Sequence, residues 1–296
     1  GFYVLDDISP LRGIDEETLA AEASLFPVKD ALWYVPRRPL GAGAPLGKAS
    51  QGDAYFVAPN PAFGAIFTVH LGAAPKTARD ARREAEKGAA NALFPSVDVL
   101  TAEEREQAPA IVLTIRDASG AVVRRLETKA EKGFQRVAWN LRRAPVDAWQ
   151  RSAEEDEWSD GSEAGAMVAP GTYSVSMALL RGGQLTPFGE ARSFEVKALG
   201  GGALEGASPA EVAAFQAELA AVARDVSAHG ARASELIERC EAMASVLRRT
   251  PGAAEELRVA VHDLHGRLTD LRHRLTGDPR QGTMNEQGPV SIDARM

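Results

Sequence analysis

The spacing of apolar residues changes once along this chain, and that change limits what it can fold into. Up to about residue 198, apolar side chains recur at every second position in short runs; beyond Leu199-Gly-Gly-Gly-Ala-Leu-Glu-Gly206 they recur at alternating intervals of three and four. A two-residue period puts side chains on the two faces of a strand, and the longer period lines one stripe of a helix. The expected fold is therefore multi-domain, β plus α: an antiparallel β-sandwich, a glycine-rich linker at residues 199–207, and a long antiparallel α-helical hairpin at residues 208–276.

The sandwich is expected over residues 61–198. Phe63-Gly-Ala-Ile-Phe-Thr-Val-His-Leu71 is rich in aromatic and β-branched residues and reads as a strand. Ile111, Leu113 and Ile115 alternate with polar or smaller neighbours, Asp117-Ala-Ser-Gly120 has turn chemistry, and residues 122–126 return as a partner strand. Val137, Trp139 and Leu141 share one face of the next strand, with Trp139 as the core anchor. Pro170-Gly-Thr-Tyr173 starts a strand with Tyr173, Val175, Met177 and Leu179 inward, and residues 193–197 close the set. Residues 76–107 carry mixed charge with almost no apolar stripe, which predicts a solvated helical insertion. Residues 13–60, broken by Pro27, Pro36, Pro39, Pro45 and Pro59, read as an irregular connector with one short helical turn.

Ser208-Pro-Ala-Glu211 has the form of a capping box with Pro at the first helical position. From there Val212, Phe215, Leu219, Val222, Val226, His229, Ala233, Leu236, Cys240, Met243 and Leu247 keep heptad spacing through Gly230 to about Arg249. Thr250-Pro-Gly252 ends that helix, and Leu257, Val261, Leu264, Leu268, Leu271 and Leu275 form a second run. The second helix is too short to cover the first half of the first. Val212, Phe215, Leu219, Val222 and Val226 are thus expected to need another surface, either a helix beyond this segment or a second copy, because the tail at 277–296 offers chiefly Met284, Val290 and Ile292.

Candidate chemistry is sparse. Asp6 and Asp7 are adjacent, so on a strand they face opposite ways and cannot act on one bond; Asp7 reads as a turn former. His262 and His265 lie three apart on the second helix, with His273 further on, but on a solvated flank, so no metal site is expected. His229 reads as a polar residue in the seam and Cys240 as a buried thiol. The acidic run Glu154-Glu-Asp-Glu157 with Asp160 and Glu163 lacks the spacing of a calcium loop. Neither Gly41-Ala-Gly43 nor Gly200-Gly-Gly202 stands between a strand and a helix as a phosphate cradle does, and no cofactor is expected. A formal charge of −7 argues against a nucleic-acid or anionic-membrane partner, and one cysteine permits no internal disulfide. No window has the roughly 18 apolar residues of a membrane span.

The chain opens on Gly1-Phe-Tyr-Val-Leu-Asp-Asp-Ile-Ser-Pro-Leu-Arg12, an apolar strand and a turn. A lone strand cannot hold itself together, so the sheet it belongs to is expected to be built from residues before Gly1. That segment resembles the closing strand of large bacterial β-propeller proteins with sortilin-like or BNR-type repeats, often labelled glycosyl hydrolases. Pro59-Asn-Pro-Ala-Phe-Gly-Ala65, Gly133-Phe-Gln-Arg-Val-Ala-Trp-Asn-Leu-Arg142, Pro170-Gly-Thr-Tyr173, Gly277-Asp278 and Pro289-Val-Ser-Ile292 resemble later parts of the same proteins, in order. The resemblance implies a propeller remnant at residues 1–12, an immunoglobulin-like or fibronectin-like sandwich, a helical region and a secreted or periplasmic location. It implies a non-catalytic accessory region that supports or presents a binding propeller, with a glycan or protein ligand; the alternative is part of a glycoside hydrolase whose carboxylates lie upstream. The Ser-x-Asp-x-Gly-x-x-Trp box of such propellers does not occur here, so no catalytic residue carries over.

Overall fold

The computed structural model describes residues 7–35, 61–87, 94–146, 165–200 and 206–278, together with residues 280, 290–292 and 295. The chain divides into two units, Gly1–Ala144 with Glu155–Ala210, and Pro145–Glu154 with Glu211–Met296. Sheets build the first and helices the second, so the chain is mixed β plus α with a long C-terminal helix pair. The strand expected at residues 2–5, the acidic run from 154 to 163, Gly41-Ala-Gly43 and Met284 lie outside the described residues.

In chain order the first unit has a 3-10 turn at Ser9–Gly13, helix α1 (Glu16–Ala20), strands β1 (Ala23–Leu25), β2 (Ala31–Trp33) and β3 (Ala65–Leu71), and helices α2 (Ala78–Lys87) and α3 (Val97–Arg105). Strands β4 (Ala110–Asp117), β5 (Val122–Lys129), β6 (Gly133–Trp139), β7 (Gly171–Arg181) and β8 (Gln184–Ala198) follow. β1, β3 and β6 form a three-stranded antiparallel sheet. The second sheet has the order β2-β8-β7-β4-β5, with β2 parallel to β8 and the other pairs antiparallel.

Alternation on these strands aims one set of side chains into a core shared by both sheets. Ile111, Leu113 and Ile115 enter it from β4, Val175 and Met177 from β7, and Phe67 and Val69 from β3. Trp139 is fully covered, edge-on to Tyr173 at 5.5 Å and to Phe194 at 6.2 Å, and its indole N–H donates to the Arg142 carbonyl at 2.8 Å. So large a ring stays buried only with its N–H satisfied.

The sheets differ from expectation in three places. Residues 13–60 are not an irregular connector throughout: β1 and β2 lie within them, one on the edge of each sheet. Three residues are too few to show a period, and Pro27, which has no N–H for a ladder, stands where the chain leaves one sheet for the other. β8 begins at Gln184 rather than near Ser193, paired to β7 around Gly182 and Gly183, both at positive φ. Its first half is largely exposed and includes Pro187 and Gly189, so no alternation marks it. Leu141, expected on the strand of Trp139, lies beyond it at φ 55°, buried in a left-handed conformation unusual for a branched side chain.

α2 and α3 carry no buried residue. Arg82 ties them, donating to both carboxylate oxygens of Glu103 at 2.6 and 2.8 Å and to Glu86 at 2.6 Å.

The second unit holds α4 (Pro209–Arg249) and α5 (Glu255–Thr276). The covered row on α4 is Val226, Gly230, Ala233, Ile237 and Cys240, so Gly230 and Ile237 replace His229 and Leu236 of the expected seam. His229 is exposed, with Nδ1 2.6 Å from the Asp225 carbonyl oxygen. The reason is size: a Cβ on Gly230 would stand 3.0 Å from Thr276 Cγ2, so the missing side chain lets the last turn of α5 approach the middle of α4. Val212, Phe215 and Val222 are exposed and Leu219 half-buried, but Val226 is covered within this unit and leaves the expected free stripe. Among the described residues no helix is long and apolar enough to cross a membrane.

Candidate functional site

One cleft in the first unit is assembled from segments far apart in sequence. On β2, period two sends Ala31 and Trp33 toward the core, where the Trp33 indole N–H donates to the Val168 carbonyl at 2.7 Å, and leaves Leu32 at 50% exposure, with Tyr34 beyond the strand end at 41%. Gly64 then brings the start of β3 alongside. It has φ +104°, and a Cβ there would fall 1.9 Å from the Trp139 carbonyl oxygen, so only glycine fits. This close approach places Phe63 edge-to-face against Tyr34, centroids 4.9 Å apart. The cleft so formed has a volume of about 420 Å³ and is rimmed by Asp7, Lys29 and Asp30, with Ile66 in its wall. Residues 36–60 lie outside the described residues.

Both rim carboxylates are engaged. Asp7 Oδ1 accepts from Ser9 N at 2.9 Å and Ser9 Oγ at 2.6 Å, the turn-forming role expected of it. Arg136 Nη2 donates to the Asp7 carbonyl at 2.5 Å, tying this segment to β6. Partial burial alone would raise the Asp7 carboxyl, but the two Ser9 donors, with Lys29 and Arg136 nearby, outweigh it and hold it below the usual carboxylate range. Asp30 accepts from Lys197 Nζ at 2.5 Å and Glu195 N at 3.1 Å, and those donors, Lys197 first, hold it low as well. Two ionised carboxylates beside an aromatic wall can accept hydrogen bonds or face a cation. A general acid needs the opposite shift, a carboxyl kept protonated near neutral pH.

In the second unit a serine, a histidine and an aspartate line one cavity of about 630 Å³. His273 Nδ1 is 3.9 Å from Asp278 Oδ2, beyond hydrogen-bond range. Asp278 is committed to Arg280 instead, through Nε at 2.9 Å, Nη2 at 2.7 Å and the backbone N–H at 3.0 Å, which pull its carboxyl far below the ordinary value. Ser291 packs on Gly277, and Ile292 N donates to the Arg274 carbonyl at 3.1 Å. A triad needs the carboxylate to orient the imidazole, and here the guanidinium holds it. The group serves to fasten the end of α5.

The other expected positions separate. His262 is exposed while His265 turns to Glu241 of α4 at 3.5 Å, so the two imidazoles do not converge. Cys240 is buried in the α4 seam. Among the described residues no group of three or more His, Cys, Asp or Glu side chains is placed to hold a metal ion. Lys29, Asp30 and Tyr34 carry no motif in the sequence, and Phe63 opens a run legible only as a strand; the packing of the two sheets on a shared core brings these segments together. No protein-family model matches the chain, and neither a curated protein nor a solved structure matches it.

Proposed function

We propose that this chain is a non-catalytic accessory region of a secreted or periplasmic β-propeller protein. In this reading the two sheets form an immunoglobulin-like or fibronectin-like sandwich, the helix pair is an antiparallel hairpin, and together they support or present a propeller that binds a glycan or protein ligand. The observation that carries it is the state of the cleft carboxylates: Asp7 and Asp30 are ionised and spent on bonds that hold the fold, to Ser9 and to Lys197 with Glu195 N. Glycoside cleavage needs a protonated acid paired with a second free carboxylate, and neither residue can be the first.

The test is glycan binding and glycoside turnover, measured on the full-length protein and on residues 1–296 alone. Binding without turnover by the full-length protein is expected. Turnover that persists in the 1–296 segment would overturn the reading, and turnover lost on mutating acids upstream of Gly1 would replace it with the hydrolase alternative. Exposed Val212, Phe215 and Val222 also support self-association along the first half of α4. Phe215, at 65% exposure, is the residue whose change to Glu should weaken it in sedimentation.

A further inference from the structure

The cleft beside β2 has a wall and a rim of different chemistry. Tyr34 and Phe63 stand at 74° to one another, so the edge of one ring meets the face of the other and the pair forms a corner. Leu32, Pro61 and Ile66 continue the apolar wall. At the rim, a carboxylate has about four acceptor positions. Asp7 uses two, both on Oδ1 toward Ser9, and Asp30 uses one on each oxygen, toward Glu195 N and Lys197 Nζ. Both keep acceptor capacity. Lys29 is exposed, and its Nζ and the Tyr34 hydroxyl supply donors.

The charges at this rim are already balanced. Lys197 pairs with Asp30, while Lys29 and Arg136 lie near Asp7. A cationic ligand finds both carboxylates compensated, and an anionic one would have to approach them. A wholly apolar ligand would strip water from the rim without replacing its hydrogen bonds, which opposes binding. A proline-rich peptide would fill the wall but bring few N–H groups to the acceptors. Both parts of the cleft are satisfied by a neutral ring with an apolar face and hydroxyls round its edge. A sugar ring has that form: its C–H groups lie against the negative face of an aromatic ring, and its hydroxyls both donate and accept. The volume of about 420 Å³ lies low in the range of roughly 300–1,000 Å³ usual for small-ligand sites, which suits a short saccharide.

We infer that this cleft binds a short neutral saccharide, its ring seated in the corner of Tyr34 and Phe63 and its hydroxyls bonded to Asp7, Asp30 and Lys29. The site belongs to the sheets of the first unit, so it is separate from the ligand proposed for a propeller. Variants of the cleft report on the first alone, and failure of either reading leaves the other standing.

The test titrates the chain of residues 1–296 with cellobiose, maltose, lactose and chitobiose, and with a polyproline peptide, by calorimetry and saturation-transfer NMR. At least one disaccharide should bind with a Kd of about 1 mM or tighter. Its ring C–H protons should receive the strongest transfer, and its affinity should change little with salt, as for a neutral ligand. Tyr34→Ala, at an exposed position, should weaken binding more than about tenfold, and Tyr34→Phe, which keeps the ring, should weaken it less. Lys29→Ala, which leaves both rings in place, should weaken it about threefold or more; this variant serves if Tyr34→Ala fails to fold. Binding of none of the disaccharides, tighter binding of the peptide, a steep fall in affinity with salt, or full binding by Tyr34→Ala or Lys29→Ala overturns the inference.

Discussion

At the scale of single residues, conformation and charge make separate predictions. A Cβ on Gly64 meets the Trp139 carbonyl oxygen at 1.9 Å, whereas one on Gly120, also at positive φ, meets nothing within 4 Å. Gly120→Ala should therefore cost about 1 kcal/mol, for backbone conformation alone. Gly64→Ala should cost about 3 kcal/mol or more, since backbone must move as well. Urea unfolding of both variants checks this, and equal losses would refute it. Asp7 and Asp30 ionise more readily folded than unfolded, so the stability they add is present above about pH 4 and lost as pH falls through their lower folded values. Asp30 is open to solvent and Asp7 only partly covered, so the contribution is modest. Asp30→Asn should melt below the parent at neutral pH and converge with it toward about pH 2. Parallel melting curves across that range would show that the pair with Lys197 adds nothing. Of this cleft, only the turn chemistry of Asp7 was legible in the sequence. Lys29, Asp30 and Tyr34 gain their meaning from pairing of β2 with a strand about 165 residues later, and Phe63 from pairing of β3 with a strand 62 to 74 residues later, which no local pattern encodes.

Among elements, legibility followed burial of one face. β7 alternates between covered and more open positions, so Tyr173, Val175 and Met177 announce it, while β4 is covered on both faces at Ala110–Leu113 and is marked by its apolar β-branched run and the turn at Asp117–Gly120. β1 and β2 are too short for that, and the exposed first half of β8 has no core side to mark. For the helices the repeat was legible but the edge it buries was not, because two edges of one heptad share the positions of Val226, Ala233 and Cys240. Gly230 decided between them through its contact with Thr276. Gly230→Ala should accordingly be close to neutral, the helical gain of about 1 kcal/mol being offset by crowding at Thr276 Cγ2. In a Thr276→Ser background, which removes that methyl, the same change should stabilise by about 1 kcal/mol. A double-mutant cycle by denaturant unfolding reads the difference, and equal effects in both backgrounds would show that Gly230 is not held by this contact.

For the whole molecule, two compact units imply two stabilities. Leu113→Ala in the shared sheet core and Ile237→Ala in the helix seam should each cost about 2–5 kcal/mol. Hydrogen exchange should show the first loss on the amides of β4 and β7 and the second on those of α4 and α5, with little crossover. Loss of protection in both units from either substitution would mean that they unfold as one. Within the first unit, the crossing at Pro27 has a consequence for synthesis. Asp30 bonds to Lys197, 167 positions later, and β2 cannot pair until β8 exists. Within its five-stranded sheet β2 leaves the ribosome first and must wait longest for its neighbour, so that sheet closes last at its most widely separated partners, a slow step while the edge of β8 stays open to other chains.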